Sequence, residues 1–359
     1  MDYYINLRIR TRLKFGAGEV RLPFRVARRA FTAIALLAAC GCALGIAATA
    51  PAGGRPLSVV LVFDAGTKPT ENDALGQGYR GFLTAVKRYH VQGRVATVDP
   101  QQNPTGLLYS LARQRYDLII AGVVGPDIVD SAAQRFPKSR FLMPDDSYAA
   151  LGHRLRNVEG TRFHSEQPAY LAGFLAALVA RNQGKNTVST VGGYKFPPVD
   201  QFIAGFRAGA RAAVPGIRTL NAYTGDFLDP SKCKSIALSQ IANGSAVVFP
   251  VAGACSAGAI EAAKEKGVFA VGVDVDQSHL GPHILTSVLK RTDWPMLEGI
   301  RRLTTGAFST GGDIVYDLHN GGTGLGAFSP RVPKPLIHRL DAVRRAIVAG
   351  KVTIPSVVK

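Results

Sequence analysis

Phe269-Ala-Val-Gly-Val273 runs without interruption into Asp274-Val-Asp-Gln277. A short apolar run that follows a helical pattern reads as a parallel strand buried on both faces. In wound α/β sheets, ligands sit beyond the C-terminal ends of the strands. A carboxylate at that end is therefore a candidate ligand contact as well as a candidate helix cap.

The same unit recurs on both sides of this stretch. Upstream, strands are expected at 58–63, 94–98, 118–121 and 140–143, with helices near 76–90, 105–115 and 129–136. A second series opens with a helix at 167–181, apolar on nearly every face and so expected to be buried. Its strands are expected at 187–191, 218–223, 246–251 and 269–273, with helices near 202–213, 231–242 and 257–266. Residues 284–288 read as a further strand, followed by a helix from 295 to 305 that Asp293 is placed to cap. A glycine-rich stretch at 312–328 with short β-like pieces precedes a terminal helix at 335–349, stopped by Gly350. The alternation predicts an α/β protein made of two Rossmann-like, doubly wound parallel-sheet lobes joined by a hinge. The expected boundaries are 57–158 with 279–308 for lobe 1, and 159–278 with 309–359 for lobe 2.

Polar residues collect where these strands end. Strand 58–63 runs into Asp64 and a polar loop that reaches Asn72 and Asp73, and strand 140–143 into Pro144-Asp145-Asp146. In the second unit, Tyr223 leads to Asp226, Phe227 and Asp229, Val251 to a loop containing Gly253, and Val288 to Lys290. Carboxylates, an amide, a lysine and backbone amides converging on one cleft suit a neutral polyol. Carboxylates accept from vicinal hydroxyls, and lysine donates to oxygens. Any single Asp here reads equally well as a helix cap.

Several segments together carry a family resemblance: Tyr116-Asp-Leu-Ile-Ile120, Glu159-Gly160, Ala169-Tyr-Leu-Ala-Gly173, Val191-Gly-Gly193, Phe202-Ile-Ala-Gly-Phe206 and Tyr223-Thr-Gly225. The strongest are Val271-Gly-Val-Asp-Val-Asp-Gln277 and Leu285-Thr-Ser-Val-Leu-Lys290. In order and spacing the chain resembles the basic membrane protein family of ABC-importer solute-binding lipoproteins, which includes purine nucleoside receptors. The resemblance implies a type I periplasmic-binding-protein fold. It also implies a nucleoside held in the cleft by Asp274 and Lys290, with Asp145, Asn72 and Asp73 contributing from the other lobe. Asp64 stands at the neighbouring strand end. Gly253 would let the backbone approach the ligand, and Phe227 would stack on a base. The first loop departs from the family pattern, because Asn72-Asp-Ala-Leu-Gly-Gln77 lacks the usual aromatic wall. Tyr79, Phe82 and Tyr148 are the candidates to replace it. Implied partners are the small-molecule ligand and an ABC permease with its ATPase, and a monomer is expected.

The first 50 residues read as a leader. Eight Lys or Arg among the first 29 residues, against Asp2 and Glu19, supply +6 of the formal +18 charge. A basic region followed by the apolar run from Ala30 to Cys40 is a secretory pattern. Leu37-Ala38-Ala39-Cys40 resembles a lipobox, which makes Cys40 the candidate lipidation site and 51–56 a tether. Two other readings stay open: an uncleaved membrane anchor over residues 30–50, and ordinary cleavage after Ala48-Thr49-Ala50. All three place the remaining chain outside the cytoplasm, and the expected location is extracytoplasmic, anchored to the bacterial cell membrane. Cations elsewhere are scattered without interleaved aromatics, so nucleic acid is not an expected partner.

Cys233 and Cys255 begin or precede helices of neighbouring units in an oxidising compartment and read as a disulfide. Metal and cofactor sites are not expected. His279 and His283 are separated by Gly281-Pro282, which forbids a regular helix between them, and no P-loop or dinucleotide fingerprint occurs. No nucleophile elbow is present either. The expected activity is therefore binding without catalysis. An extracytoplasmic sensor of the same fold and a nucleoside hydrolase are the competing readings.

Overall fold

The computed structural model describes residues 55–65, 68, 72–98 and 103–358. Every element of both sheets lies within the compact unit Gly54–Lys359, which therefore folds as a unit. The candidate lipidation residue Cys40, and all but the last two residues of the expected tether, lie outside the described residues.

Lobe 1 is built on β1 (Ser58–Asp64), β2 (Gln92–Val98), β3 (Leu118–Ala121), β4 (Phe141–Met143), β5 (Val158–Phe163) and, from far down the chain, β11 (Gly312–Tyr316). Their order across the sheet is β11-β5-β4-β3-β1-β2, with parallel pairing throughout. Alternation along the strands divides the core in two. Val59, Leu61 and Leu118 face α1 (Ala74–Arg88) and α8 (Asp293–Thr304), while Val60, Val62 and Ile119 face α2 (Thr105–Arg113) and α3 (Pro126–Arg135).

Lobe 2 repeats the plan with β6 (Thr187–Gly192), β7 (Arg218–Tyr223), β8 (Val247–Val251), β9 (Phe269–Asp274), β10 (Ile284–Lys290) and β12 (Thr323–Leu325). Their order is β12-β10-β9-β8-β6-β7, parallel except for the antiparallel edge strand β12. One face is covered by α4 (Glu166–Asn182), α5 (Pro197–Ala213) and α9 (Lys334–Val348), the other by α6 (Pro230–Ala242) and α7 (Ser256–Glu265). Helices α4 and α5 cross with their backbones touching. A Cβ on Gly173 or Gly209 would lie 1.9 Å from the carbonyl oxygen of Phe206 or Tyr170. A Cβ on Gly205 would likewise lie 2.3 Å from the Glu166 carbonyl oxygen, so close helix contact accounts for Gly173 and Gly205, the glycines of two family-like segments.

Sheet membership corrects three expectations. Strand β5 went unread and belongs to lobe 1, where it pairs with β4 and β11. Strand β10 belongs to lobe 2 although α8, directly after it, packs on lobe 1 through Met296 and Ile300. The 312–316 strand belongs to lobe 1, not lobe 2. The chain thus passes between lobes after β5, after β10 and after β11, and no local pattern marks where a strand will pair. The crossings are tied to one another: the His164 amide donates to Tyr316 (2.8 Å) and the Arg291 amide to Gly322 (2.9 Å). Asp293 does not cap α8 but begins it, its carboxylate held by the Arg291 guanidinium at 2.7 Å.

Candidate ligand-binding cleft

Between the C-terminal ends of the two sheets lies a cavity of about 600 Å³. That size suits a small organic ligand. Lobe 1 contributes Phe63 at the end of β1, Leu75 and Gly78 of α1, the Gly122-Val123 turn after β3, Pro144-Asp145-Asp146 after β4, and Phe163 closing β5. Lobe 2 contributes Phe196, Pro198, Phe227, Asp274 and Lys290, while Thr292 and Met296 come from the second crossing segment, after β10, and from α8.

Lys290 is the centre of charge. It ends β10, is 6 % exposed, and forms an ion pair with Asp145 of the opposite lobe. Its ammonium also lies 5.3 Å from the Phe163 ring centroid and 5.8 Å from that of Phe202. Burial alone would push the ammonium down, but Asp145 and Asp274 outweigh it and hold the pKa above the ordinary lysine value. Burial drives the Asp274 carboxyl up to about 6, with Asp145 and Asp73 adding and Lys290 opposing. Asp146 is pushed up to about 6 in the same way, by burial and then by Asp145.

The two principal carboxylates share an uncommon backbone. Asp145 has φ +66° and Asp274 φ +65°, left-handed conformations that non-glycine residues seldom adopt. Asp145 stands two residues after β4 and Asp274 ends β9, and both side chains line the gap. Strain of this kind persists where surrounding structure over-determines it, commonly at ligand sites. The Asp145 turn is fixed by its amide, which donates to Thr161 Oγ1 at 2.8 Å.

The remaining expected residues are placed differently. Asp73 caps α1, its carboxylate accepting from the Gly76 amide at 2.7 Å, and acts on Asp274 only through its charge. Asp64 and Asn72 do not line the cavity, because β1 presents Phe63 there and Asn72 is exposed ahead of the α1 cap. Gly253 does not line it either. Its positive φ of +55° sets it under the Phe227 main chain, 3.1 Å from a hypothetical Cβ to the Phe227 carbonyl oxygen. Of the candidate replacement aromatics, Phe82 is core, Tyr148 donates its hydroxyl to the Leu155 carbonyl, and Tyr79 packs on Phe63 at 5.7 Å.

Phe227 does line the cavity, and its loop is built to hold it. The Asp226 carboxylate accepts from the Leu228 amide (2.7 Å) and from Lys232 (2.6 Å). The Lys232 and backbone hydrogen bonds lower its pKa to about 2. The Phe227 carbonyl accepts from the Cys255 amide at 3.0 Å, and Cys255 is bonded to Cys233 with Cα atoms 5.6 Å apart. Tyr194 and Phe196 pack edge-on to Phe227, at 5.3 and 5.9 Å between centroids. Phe63, Phe163 and Phe196 were missed in sequence: Phe63 looks like an ordinary strand residue, Phe163 ends a strand that the pattern did not mark, and Phe196 stands ahead of the helix expected near 202–213. Only pairing geometry brings their rings to one gap. Among the described residues, no group of three or more His, Cys, Asp or Glu is arranged to hold a metal.

Known proteins place this architecture. The pattern of the family described as ABC transporter substrate-binding protein PnrA-like matches residues 75–357. A CD4+ T-cell-stimulating antigen of Listeria monocytogenes is 29% identical over 266 residues, 69% of this chain and 72% of the relative. Basic membrane protein A of Borreliella afzelii is 32% identical over 203 residues, 55% of this chain and 62% of the relative. Among solved structures, an ABC transporter solute-binding protein of Aeropyrum pernix K1 superposes with a TM-score of 0.73 at 23% identity, covering 84% of this chain and 94% of that one. The order and pairing of the strands, and a family match that extends over most of the chain, lead to one conclusion: this chain belongs to the PnrA-like family of ABC transporter substrate-binding proteins.

Proposed function

We propose that the protein is a non-enzymatic, extracytoplasmic receptor that captures a nucleoside between its lobes and delivers it to an ABC permease. In this reading it is held at the membrane by lipid on Cys40. The observation that carries the reading is Lys290, buried between Asp145 of lobe 1 and Asp274 of lobe 2 in a cavity walled by Phe63, Phe163, Phe196 and Phe227. Two carboxylates and an ammonium suit the vicinal hydroxyls and ring oxygen of a ribose. The aromatic rings suit a planar base, since offset and edge-on ring contacts contribute about 0.5–1.5 kcal/mol beyond area burial. Because the polar groups come from both lobes, a ligand that meets all of them binds the closed state better and shifts the population toward it.

Residues 54–359 titrated calorimetrically with inosine, guanosine, adenosine, cytidine and riboflavin test the reading. At least one nucleoside is expected to bind saturably. At a hundred times its dissociation constant it contributes about 2.7 kcal/mol, raising the unfolding temperature by about 5 °C. Absence of binding by every nucleoside, or steady release of free base from one, rejects the proposal.

A further inference from the structure

A second cavity, of about 650 Å³, opens at the far end of lobe 1, where β1, β3 and β4 begin and α2 and α3 finish. Six cations line it: Arg55, Arg113, Arg115, Arg135, Lys138 and Arg140. All six residues are exposed. The only carboxylate in the lining is Asp117. It is already engaged, accepting from Arg55 at 3.0 Å and from the Ser58 amide at 2.7 Å. None of the other five cations forms an ion pair with a carboxylate of the described residues.

Part of this cluster has a local explanation. Arg113 and Arg135 sit in the last turns of α2 and α3, where a cation complements the helix dipole. Each also rests near an aromatic ring, Arg113 at 5.9 Å from Phe136 and Arg135 at 5.3 Å from Tyr109. The dipoles do not account for Arg55, Arg115, Lys138 and Arg140, which lie outside the helices. Arg115 takes φ +57° just after α2 and lines the same cavity as the helix-end arginines. Like charges gathered this closely repel one another unless an anion sits among them.

We propose that this cavity docks the phosphate headgroups of anionic phospholipids and seats the rear of lobe 1 on the membrane. Arg55 lies in the cavity and stands fifteen residues after Cys40. Fifteen residues reach at most about 50 Å. A chain anchored at Cys40 therefore keeps Arg55, and with it this end of lobe 1, within that reach of the bilayer. The geometry rests on the lipid-anchor reading given above, while its test does not use the anchor.

Residues 54–359 are sedimented with phosphatidylcholine vesicles, with and without phosphatidylglycerol, at low and high salt. Binding is expected only with phosphatidylglycerol and is expected to weaken as salt rises. The triple variant Arg115→Glu, Lys138→Glu, Arg140→Glu is expected to lose partitioning on the order of 100-fold. The control Lys185→Glu, Lys264→Glu, Lys266→Glu changes the net charge equally at the strand-start end of lobe 2 and is expected to bind much as wild type does. Circular dichroism checks that both variants are folded. Equal losses in the two variants, or equal binding to both vesicle types, overturn the proposal. So does stabilisation by inorganic phosphate without phosphatidylglycerol-dependent sedimentation, which would make the cavity a soluble-anion site.

Discussion

Lys290, the last residue of β10 in lobe 2, pairs with Asp145, the second residue after β4 in lobe 1, so a single buried charge joins the two sheets. Lys290→Met should therefore act on binding and closure together. It removes the donor and leaves Asp145 and Asp274 as facing like charges. A charged hydrogen bond contributes about 1.5–3 kcal/mol, so affinity should fall at least about 10- to 100-fold. Calorimetry reads the affinity. Small-angle scattering should show a larger radius of gyration for the variant with ligand present; an unchanged radius and affinity would remove Lys290 from the site.

Asp274 gives the pH dependence. Its folded pKa of about 6 lies above the ordinary value of 3.8, so between these values the folded protein holds a proton that the unfolded chain has released. Stability of the ligand-free protein then falls as pH rises through this window. Ligand affinity runs the other way, because only the ionised carboxylate accepts two hydroxyl hydrogens, and should rise with a midpoint near pH 6. Asp274→Asn should bind poorly yet be more heat-stable than wild type above about pH 6, by an amount that shrinks toward pH 4. Unfolding curves and titrations across that range check both signs. Asp146 titrates in the same window, and the variant isolates the Asp274 share.

Phe227 should be separable from folding. Phe227→Ala is expected to weaken binding about 5- to 10-fold through the lost ring contact alone, and more if the loop collapses. Gly193→Ala provides an indirect version of the same loss. Its Cβ would fall 2.2 Å from the Phe227 ring, so the ring must move while the carboxylates and Lys290 stay. Both variants should keep wild-type circular dichroism and lose affinity.

The disulfide stabilises lobe 2 and supports the Phe227 loop from behind. It closes a loop of 22 residues, for which chain entropy gives about 3 kcal/mol. Cys233→Ser with Cys255→Ser should lower the unfolding temperature by roughly 5 °C or more. A smaller loss of affinity should accompany it, because the Cys255 amide that holds the Phe227 carbonyl becomes less firmly placed. Equal unfolding temperatures would show that the packing of α6 on α7 suffices.

Glu159 and Arg302 form a buried pair inside lobe 1, Glu159 on β5 and Arg302 on α8, with Ser309 donating to the same carboxylate at 3.1 Å. Burial raises the Glu159 pKa against the opposing effect of Arg302. Removing one partner strands the other charge, so Glu159→Ala should cost about 3–5 kcal/mol in chemical denaturation, with ligand contacts untouched. A loss below about 1 kcal/mol would mean that water reaches Arg302 in the variant.

Much of this was legible in the residues. Strand β9 and its terminal Asp274 follow from an apolar run and a polar stop, and the lobes follow from the repetition of that unit. The Asp at each strand end was ambiguous for a physical reason: a carboxylate can accept from a helix amide or from a ligand, and local sequence is the same in both cases. Asp73 proved to be a cap, whereas Asp145 turned on its left-handed φ toward Lys290. Local patterning set which segments are strands and which are helices, because side-chain periodicity is written along the chain. Tertiary structure alone decided that β5 and β11 belong to one sheet and β10 to the other, and that Phe63, Phe163 and Phe196 share a gap with Phe227. Pairing partners far apart in the chain are selected by the packing of whole faces, and no short stretch of sequence records that choice.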